Sequence, residues 1–600
     1  MHHLALYPQC GACTDMIFRH ERVVALFGKE DDSSSYLGRT EPFPFPDAAR
    51  SVASVNGFRL CRFPDCKRCA ASPQFMPIHC DCFEVFRKCC GEGVDASARL
   101  WTVAAWRSPW RRAPPIYLAS ETLEADSLRA IADIARLPQL YELPTELLEM
   151  VRRYSEHALL WRAISARSLA ARVSATSPNP LLTLSLDDIL FWERGGELER
   201  RDPGRPPLSS STMQLTIDSD GIRRVERPSP PSPEVFSRGA FAYVVEDQQA
   251  IAKLEAQFKD GLLRLVLPRG QPAPAPRIWN TPNPPDMPRC ETFMRGATGL
   301  SPARLFAVDA DHRATGITFF FSAGALFGVH VHVPHAPDAT PAFRRFSRAR
   351  RRTMVWVYLP LAPRHDPLLA LGVRRSPAPS SPAILARTQR GAAHGLPDVV
   401  IGPYLPGPAR DHVVNRAVTG PPITLVYSEP LQGRPIPFFG ACVRPAGAAA
   451  ASRTRPGAPD APAEPPFAAL EPRAHPLGDG AYFARAPLAG VAAAELFYDE
   501  GGRFCRGLLL RYRGGARRAL GQCRVHVDAT ARVAEPRGLC HRLETRARGP
   551  RRTAYAVEVA LRDGAGDHGH RGEEGWSCHR LEGMLNFWFT DVSSFIEIDS

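Results

Sequence analysis

The stretch CRFPDCKRCAASPQFMPIHCDC, from Cys61 to Cys82, contains five cysteines and one histidine within 22 residues. Nine of the fifteen cysteines in this 600-residue chain precede residue 91. Zinc prefers cysteine and histidine ligands, which commonly come in closely spaced pairs because one short turn can direct two side chains at one ion. The stretch therefore predicts a small zinc-binding N-terminal module, which we place at residues 1–92.

The candidate ligands form three pairs with two intervening residues each: Cys10 and Cys13, Cys66 and Cys69, His79 and Cys82. Two pairs complete one site, and the spacing leaves two combinations open. The second and third pairs would make a compact finger. The first and third would enclose a long insertion, which is tolerated because loop-closure entropy grows slowly with length. Cys61 and Cys80 lie nearby, so eight candidates together would serve two ions; buried cysteines without a metal are the other interpretation.

Charge alone would favour a nucleic-acid partner, because the net charge is +13. Only five of the 75 basic residues are lysines, however, so the charge partly reflects a bias towards arginine. We therefore do not predict nucleic-acid binding.

The chain has no run of 18 apolar residues, so no membrane span is predicted. Its first residues, MHHLALYPQCGAC, lack the basic start and apolar core of a secretory signal. We therefore expect an intracellular protein, cytoplasmic or nuclear. Reducing compartments favour thiols and metal ligands over disulfides.

Residues 93–200 are predicted to be a helical segment. Apolar residues recur at helical spacing in SETLEADSLRAIADIARL, which starts at Ser120, and in LPTELLEMVRRYSEHALLWRAISARSLAARVS, which starts at Leu143. A fourth helix is predicted at SLDDILFWERGG, because Ser185 and Asp188 have the spacing of a capping box and a glycine pair follows.

The sequence after residue 210 is predicted to be β-rich. Short apolar runs separated by turn residues fill residues 210–444 and 480–600, and a Pro/Ala-rich linker at 445–479 is expected to be disordered. The fold class is thus α+β multidomain, with a small zinc module, a short helical segment and a large, mostly antiparallel β region. The pattern leaves propeller, barrel and sandwich open.

One further metal candidate lies in the β region. His330 and His332 are two residues apart, which places them on one face of a strand, and His335 follows. Fingerprints of serine hydrolases, P-loop enzymes, zinc proteases and dinucleotide-binding folds are absent, so we predict no catalytic residue and the sequence gives no support for an enzyme.

The residues Leu143, Pro144, Leu147 and Leu148, in LPTELL, resemble the opening of an F-box. That resemblance implies docking to the adaptor of a cullin-type ubiquitin ligase and makes these four residues candidate partner contacts. An ordinary two-helix packing unit is the alternative interpretation.

Over most of its length the chain also resembles a family of large filamentous-fungal proteins for which no activity is established. The likeness includes Cys10, Cys13, His79, Cys82 and Phe83, the residues 143–148, and the stretches 316–332 and 496–524. This likeness concerns the architecture. Together with the F-box-like residues, it leads us to expect an intracellular interaction protein with an N-terminal Cys/His cluster, whose β region would recruit a substrate if the F-box interpretation holds. A structural or ligand-binding β protein without a link to ubiquitin ligases is the alternative.

Overall fold

The structure is a computed structural model of the whole chain. It describes the following residues: 3–29, 35–46, 54–62, 66–70, 72–91, 95–111, 113, 116–118, 123–155, 158–201, 212–227, 240–268, 276–294, 304–310, 313–334, 336–362, 365–375, 382–405, 410–416, 423–429, 435–436, 438–443, 467, 473–478, 480–547, 553–563, 570 and 573–599.

The chain divides into two compact units. Strands predominate over helices among the described residues, as predicted. The first unit comprises residues 1–284 and 303–305, and the second comprises 285–302 and 306–600. Each unit is described by itself below.

Before residue 285 the helices are α1 Lys67–Ala70, α2 Cys80–Cys89, α3 Ala96–Trp106, α4 Ala125–Ile134, α5 Thr145–Tyr154, α6 Leu159–Ala175 and α7 Gln248–Ile251. The strands in the same part are β1 His3–Ala5, β2 Arg22–Gly28, β3 Tyr36–Arg39, β4 Phe43–Pro44, β5 Ser54–Val55, β6 Phe58–Cys61, β7 Phe75–His79, β8 Leu182–Ser185, β9 Ile189–Glu193, β10 Glu199–Arg200, β11 Thr212–Asp218, β12 Gly221–Glu226, β13 Ala242–Asp247, β14 Glu255–Lys259, β15 Leu262–Val266 and β16 Ile278–Trp279. Short 3₁₀ turns occupy Pro138–Glu142 and Leu186–Asp188.

The cysteine-rich residues fold around strand β2, which pairs with β3, β4 and β7. Strand β7 runs directly into α2, and a separate sheet joins β1, β6 and β5. The core beneath these strands includes Trp101 and Trp106 from α3 and Leu169 and Val173 from α6. The candidate ligands Cys10, Cys13 and Cys82 therefore share one core with helices that follow them in the chain.

The predicted helical segment, residues 93–200, contains helices α3 to α6 and ends in strands β8 to β10. Glu124 caps α4 by accepting a hydrogen bond from the backbone N–H of Ser127. Leu128, Leu148 and Trp161, one from each helix, meet in a small core. The apolar spacing in the sequence thus produces helices that pack on one another.

The prediction of a fourth helix at Ser185–Gly196 is wrong. Residues 182–193 instead form β8, a 3₁₀ turn and β9. The Ser185 hydroxyl caps that turn by accepting from the backbone N–H of Asp187, so the capping signal belonged to a shorter turn. Strand β9 pairs with β12, opposing Trp192 to Val225, because burial in this sheet outweighs local helix propensity.

From residue 285 on the strands are β17 Glu291–Met294, β18 Arg304–Asp309, β19 Gly316–Ser322, β20 Ala325–His332, β21 Met354–Pro360, β22 Leu368–Arg375, β23 Ala383–Thr388, β24 Val399–Ile401, β25 Arg410–Arg416, β26 Ile423–Ser428, β27 Phe438–Val443, β28 Tyr482–Pro487, β29 Val491–Tyr498, β30 Cys505–Tyr512, β31 Arg517–Gly521, β32 Thr530–Ala534, β33 Gly538–Ala547, β34 Thr553–Arg562, β35 Trp576–Arg580, β36 Met584–Phe589 and β37 Ser594–Asp599. The helices in this part are α8 Thr340–Arg344, α9 Arg348–Arg351 and α10 Gln389–Ala393, with a 3₁₀ turn at Met287–Arg289.

Antiparallel meanders of three and four strands dominate the second unit, such as β31–β30–β29–β32 and β34–β33–β35. One hydrophobic core takes side chains from both predicted β blocks, for example Phe319 and Leu371 from the first and Leu508 and Phe587 from the second. The part of the first block after residue 306 therefore folds together with the second block, while residues 210–284 belong to the first unit.

Most of the predicted linker at 445–479 lies outside the described residues. Phe467, within it, is buried against Ala370 and Leu385, and the Arg387 guanidinium lies 5.0 Å from the centre of its ring. A disulfide joins Cys290 to Cys442, neither of which belongs to the N-terminal cysteine cluster. Among the helices that the structure describes, none combines the length and apolar character that a membrane crossing requires.

Candidate metal centres and apolar helix face

Four predicted ligands converge in one buried cluster, centre A, formed by Cys10, Cys13, His79 and Cys82. Their sulfur and nitrogen donor atoms all lie within 4.8 Å of one another. Cys10 and Cys13 come from a tight turn before β2, His79 ends β7, and Cys82 lies in the first turn of α2. Each of the four residues is at most 4% exposed. The structure thus forms the combination that encloses the long insertion.

Backbone N–H groups orient the sulfur of Cys10. The N–H groups of Ala12 and His79 lie 3.4 and 3.5 Å from that atom. The turn itself is closed by hydrogen bonds from the N–H of Thr14 to the carbonyl of Cys10 and from the N–H of Cys10 to the carbonyl of Asp15. The backbone thereby holds this ligand in place and donates to its sulfur.

The donor atoms of centre A have the spacing that a tetrahedral ion requires. With metal–sulfur and metal–nitrogen bonds of about 2.3 and about 2.0 Å, tetrahedral zinc separates sulfur from nitrogen by about 3.5 Å. The Nδ1 atom of His79 lies 3.5 Å from the sulfur of Cys13 and 3.7 Å from that of Cys82. Three thiols and one imidazole therefore fit a metal ion at this position.

The thiols of centre A differ in pKa. Burial acts to raise the pKa of Cys10, but hydrogen bonds from the Cys13 and Cys82 thiols and the charge of His79 outweigh it and hold that pKa well below its ordinary value. Burial and the hydrogen bond to Cys10 raise the pKa of Cys13 to about 12. Metal binding would displace such thiol protons, because the thiolate is the ligand.

The ring of His79 has a second partner on the side away from the sulfurs. Its Nε2 atom lies 3.3 Å from Oε2 of Glu21. Metal-ligating histidines commonly donate their other ring N–H to a carboxylate, which fixes the tautomer and the ring orientation. Glu21 thus completes the environment that a histidine ligand requires, and no spacing in the sequence indicated it.

Arg107, at the end of α3, holds the Cys10–Cys13 turn in place. Its Nη1 atom donates to the carbonyls of Gly11 and Ala12 at 2.5 and 2.9 Å. Its Nη2 atom lies 3.2 Å from Oδ1 of Asp220 in the turn between β11 and β12. The ligand turn is therefore tied to the β-hairpin through one guanidinium.

A second cluster, centre B, contains the other predicted pair. It comprises His3, Cys61, Cys66 and Cys69, whose donor atoms also lie within 4.8 Å of one another. The Nδ1 atom of His3 is 3.4 Å from the sulfur of Cys66. Cys66 is partly exposed whereas all members of centre A are buried, so centre B lies closer to solvent.

Strand pairing explains why His3 was missed from the sequence. Strands β1 and β6 are parallel, with Ala5 opposite Cys61, so the first strand brings His3 to ligands about sixty residues later. The hydroxyl of Ser72 accepts from the backbone N–H of His3 at 3.0 Å and positions that residue. A lone histidine so far from the cysteines forms no closely spaced pair that would indicate a ligand. Cys80, the other candidate outside the three pairs, belongs to neither cluster.

The F-box-like residues lie on α5 or immediately before it, and their environments differ. Leu148 is buried against α4 and α6, Leu143 is half-buried, and Pro144 is exposed. Leu147 is 46% exposed and belongs to an apolar stripe that we define as Leu147, Met150, Val151 and Tyr154. Helical geometry puts these four residues on one side of α5.

Other apolar side chains near α5 are exposed as well. Of the fourteen exposed large hydrophobic side chains among the described residues, eight lie between residues 134 and 159: Ile134, Leu137, Tyr141, Leu147, Met150, Val151, Tyr154 and Leu159. Tyr154 is the most exposed at 79%. Among the described residues, exposed large apolar side chains are thus most frequent on the F-box-like helix and the residues around it.

The histidine pair on β20 makes hydrogen bonds within the protein. Both ring nitrogens of His332 are engaged, with Thr318 Oγ1 at 2.7 Å and the carbonyl of Pro337 at 2.8 Å. Nε2 of His330 lies 3.2 Å from the carbonyl of Ala336. His335 lies outside the described residues. His332 therefore has no ring nitrogen available for a metal in this arrangement.

Comparison of the chain with models of protein families gives no match, and neither does a search of curated proteins.

Proposed function

We propose that the chain is a protein-interaction protein that docks a partner on the apolar stripe of α5, in the manner of an F-box. The observation that carries the proposal is the exposure of that stripe, with Leu147 at 46% and Met150 at 48%. A partner would bury these side chains and gain about 25 cal/mol for each Å² of apolar surface removed from water. The second unit would supply the surface that recognises a substrate.

The spacing of the stripe supports this mode of binding. Leu147, Met150, Val151 and Tyr154 are positions i, i+3, i+4 and i+7, the anchor pattern of helices that lie in a partner's groove. Large apolar patches on soluble proteins commonly mark interaction sites. The resemblance of LPTELL to an F-box identifies the expected partner as the adaptor of a cullin-type ubiquitin ligase.

The proposal extends to two structural zinc ions. Each centre offers three cysteines and one histidine, a complete tetrahedral set that leaves no position open for substrate. Zinc would cross-link strands and helices that are far apart in sequence. The required thiols would persist in the cytoplasm or nucleus, and thirteen cysteines of the chain are not in disulfides.

Co-purification of the adaptor with the full-length chain tests the docking proposal. We expect the wild-type chain to retain the adaptor and the Leu147→Arg, Met150→Arg double variant to lose it by more than tenfold. Glu149→Arg is the matched control, because Glu149 is exposed on the same helix but lies on the opposite side from the stripe. Failure of the wild-type chain to retain the adaptor, or retention by the double variant, would overturn the proposal.

Leu148 is buried, unlike the residues of the stripe. It is only 8% exposed and packs against Trp161 and Ile164, so arginine there would unfold the helical segment whether or not a partner binds. Leu148→Ala therefore serves as a stability control, and loss of adaptor in that variant alone would not support docking by the stripe.

A further inference from the structure

Helix α6 belongs to two cores. Trp161 and Ile164 pack with Leu148 of α5. Further along the same helix, Leu169 and Val173 lie in the core that contains the ligand Cys82 of α2. The helix that supports the apolar stripe is thus also packed against the helix that carries a ligand of centre A.

A polar connection joins the same two regions. The carboxylate of Glu21 contacts Nε2 of His79 through one oxygen, at 3.3 Å, and accepts from Nη2 of Arg162 through the other. The backbone N–H of Phe18 also donates to this carboxylate, at 2.6 Å. Arg162 lies on α6 and is 8% exposed. One carboxylate therefore links a ligand of centre A to the helix behind the stripe.

The charges along this connection depend on one another. The side chains of this connection are largely shielded from water, with His79 1% exposed and Glu21 25% exposed. Removing one member from such a buried arrangement leaves the other charges without compensation. The orientation of the His79 ring consequently affects how well Arg162 is held.

We propose that metal occupancy of centre A controls the order of α5 and α6, with Glu21 and Arg162 as positioning residues that connect the two. A bound ion would fix the His79 ring with Nδ1 towards the sulfurs and its Nε2–H towards Glu21. Without the ion the ring would lose its bond at Nδ1, so Glu21, and α6 through Arg162, would be held less firmly. The inference rests on the proposed function only in taking the stripe as the docking surface.

Amide hydrogen exchange of the full chain measures this coupling without any partner. We expect zinc removal by a chelator to increase exchange in residues 145–175 at least tenfold relative to the zinc-loaded chain. Exchange in β29 and β30 of the second unit serves as the internal standard for an otherwise folded chain. If chelation increases exchange in β7 and α2 but leaves residues 145–175 unchanged, the coupling is wrong.

Three variants test the connecting residues. In the zinc-loaded chain, Glu21→Gln and Arg162→Gln should each increase exchange in α5 and α6, and should weaken zinc retention by centre A by about 10- to 100-fold in chelator competition. Arg167→Gln is the matched control, because Arg167 lies on α6 and contacts Cys89 instead of Glu21. Wild-type exchange and zinc retention in Glu21→Gln would overturn the role of these residues. The result for Glu21→Gln, a conservative substitution, still tests the coupling even if Arg162→Gln does not fold.

Adaptor co-purification separates the two proposals. Increased exchange on chelation in a chain that never retains the adaptor would end the docking proposal and leave the coupling standing. Equal adaptor retention by the zinc-loaded and the chelated chain, with unchanged exchange, would end the coupling and leave docking standing.

Discussion

Nη2 of Arg107 lies 3.2 Å from Oδ1 of Asp220, while Nη1 of the same guanidinium donates to two carbonyls of the Cys10–Cys13 turn. The hairpin between β11 and β12 therefore fixes the side chain that positions two candidate metal ligands. Support of this kind reduces the entropy that a ligand turn loses when an ion binds.

Arg107→Gln should weaken zinc retention by centre A by about tenfold, since outer contacts of metal ligands commonly have effects of this size. Chelator competition measures the change, with centre B as the internal reference. Arg172→Gln is the control, because Arg172 also pairs with Asp220, at 2.9 Å, but is 55% exposed on its side chain. Equal loss in both variants would mean that Asp220 matters and the turn carbonyls do not.

Metal content should divide between the two centres. We expect two zinc ions per chain, one ion after replacement of Cys10 and Cys13 by serine, and one ion after replacement of Cys66 and Cys69, because each cluster would hold its own ion. Elemental analysis of the purified chains gives the count. Less than one ion per wild-type chain, with cluster thiols that react freely in the native state, would contradict the prediction.

The stability of the second unit should fall as the pH falls below neutrality because of His330. Burial, with a smaller effect from His332, lowers the pKa of His330 to about 4, although Asp338 acts in the opposite direction. The unfolded chain, with a pKa of about 6.5, binds the proton first, so stability is lost between about pH 6.5 and about pH 4. A single group accounts for at most about 2 kcal/mol between pH 7 and pH 5.

Urea unfolding at pH 7 and pH 5 measures this dependence. His330→Gln should reduce the difference between the two pH values, while His394→Gln, at an exposed position, should leave it unchanged. An unaltered pH difference in the His330 variant would assign the effect to other groups.

Gly521→Ala should destabilise the second unit strongly. Gly521 has a φ of +70°, and a Cβ there would lie 2.4 Å from the carbonyl oxygen of Arg506 and 2.8 Å from the ring of Phe587. The left-handed backbone alone costs alanine about 1 to 2 kcal/mol, and the contact with buried backbone adds to that.

Gly490→Ala is the matched control for that substitution. Gly490 has a φ of +78°, but a Cβ added there would meet no atom within 4 Å, so its replacement isolates the backbone effect. Hydrogen exchange of β30 and β31 should increase much more in the Gly521 variant than in the Gly490 variant. Equal increases would show that the clash contributes nothing.

Local patterns in the sequence determined the elements and several ligands. The pairs that contain Cys10 and His79 follow from the short turns that zinc sites use, and α5 and α6 follow from apolar spacing. The same spacing could not distinguish the buried Leu148 from the exposed Leu147, because both faces of α5 carry apolar residues and only packing shows which face is covered. The capping pattern at Ser185 led to the wrong prediction of a helix, because this pattern fits a single 3₁₀ turn as well as a helix.

Tertiary structure alone decided which pairs of candidate ligands share a cluster and what surrounds them. The parallel pairing of β1 and β6 brings His3 to Cys61, and the packing of α6 on the cysteine-rich core brings Arg162 to Glu21. These contacts join residues separated by more than fifty positions, and loop closure over such distances leaves no periodicity in the sequence. The sequence therefore determined the chemistry of the ligands, and the fold determined their grouping, because only burial of a shared core selects among combinations that spacing leaves equal.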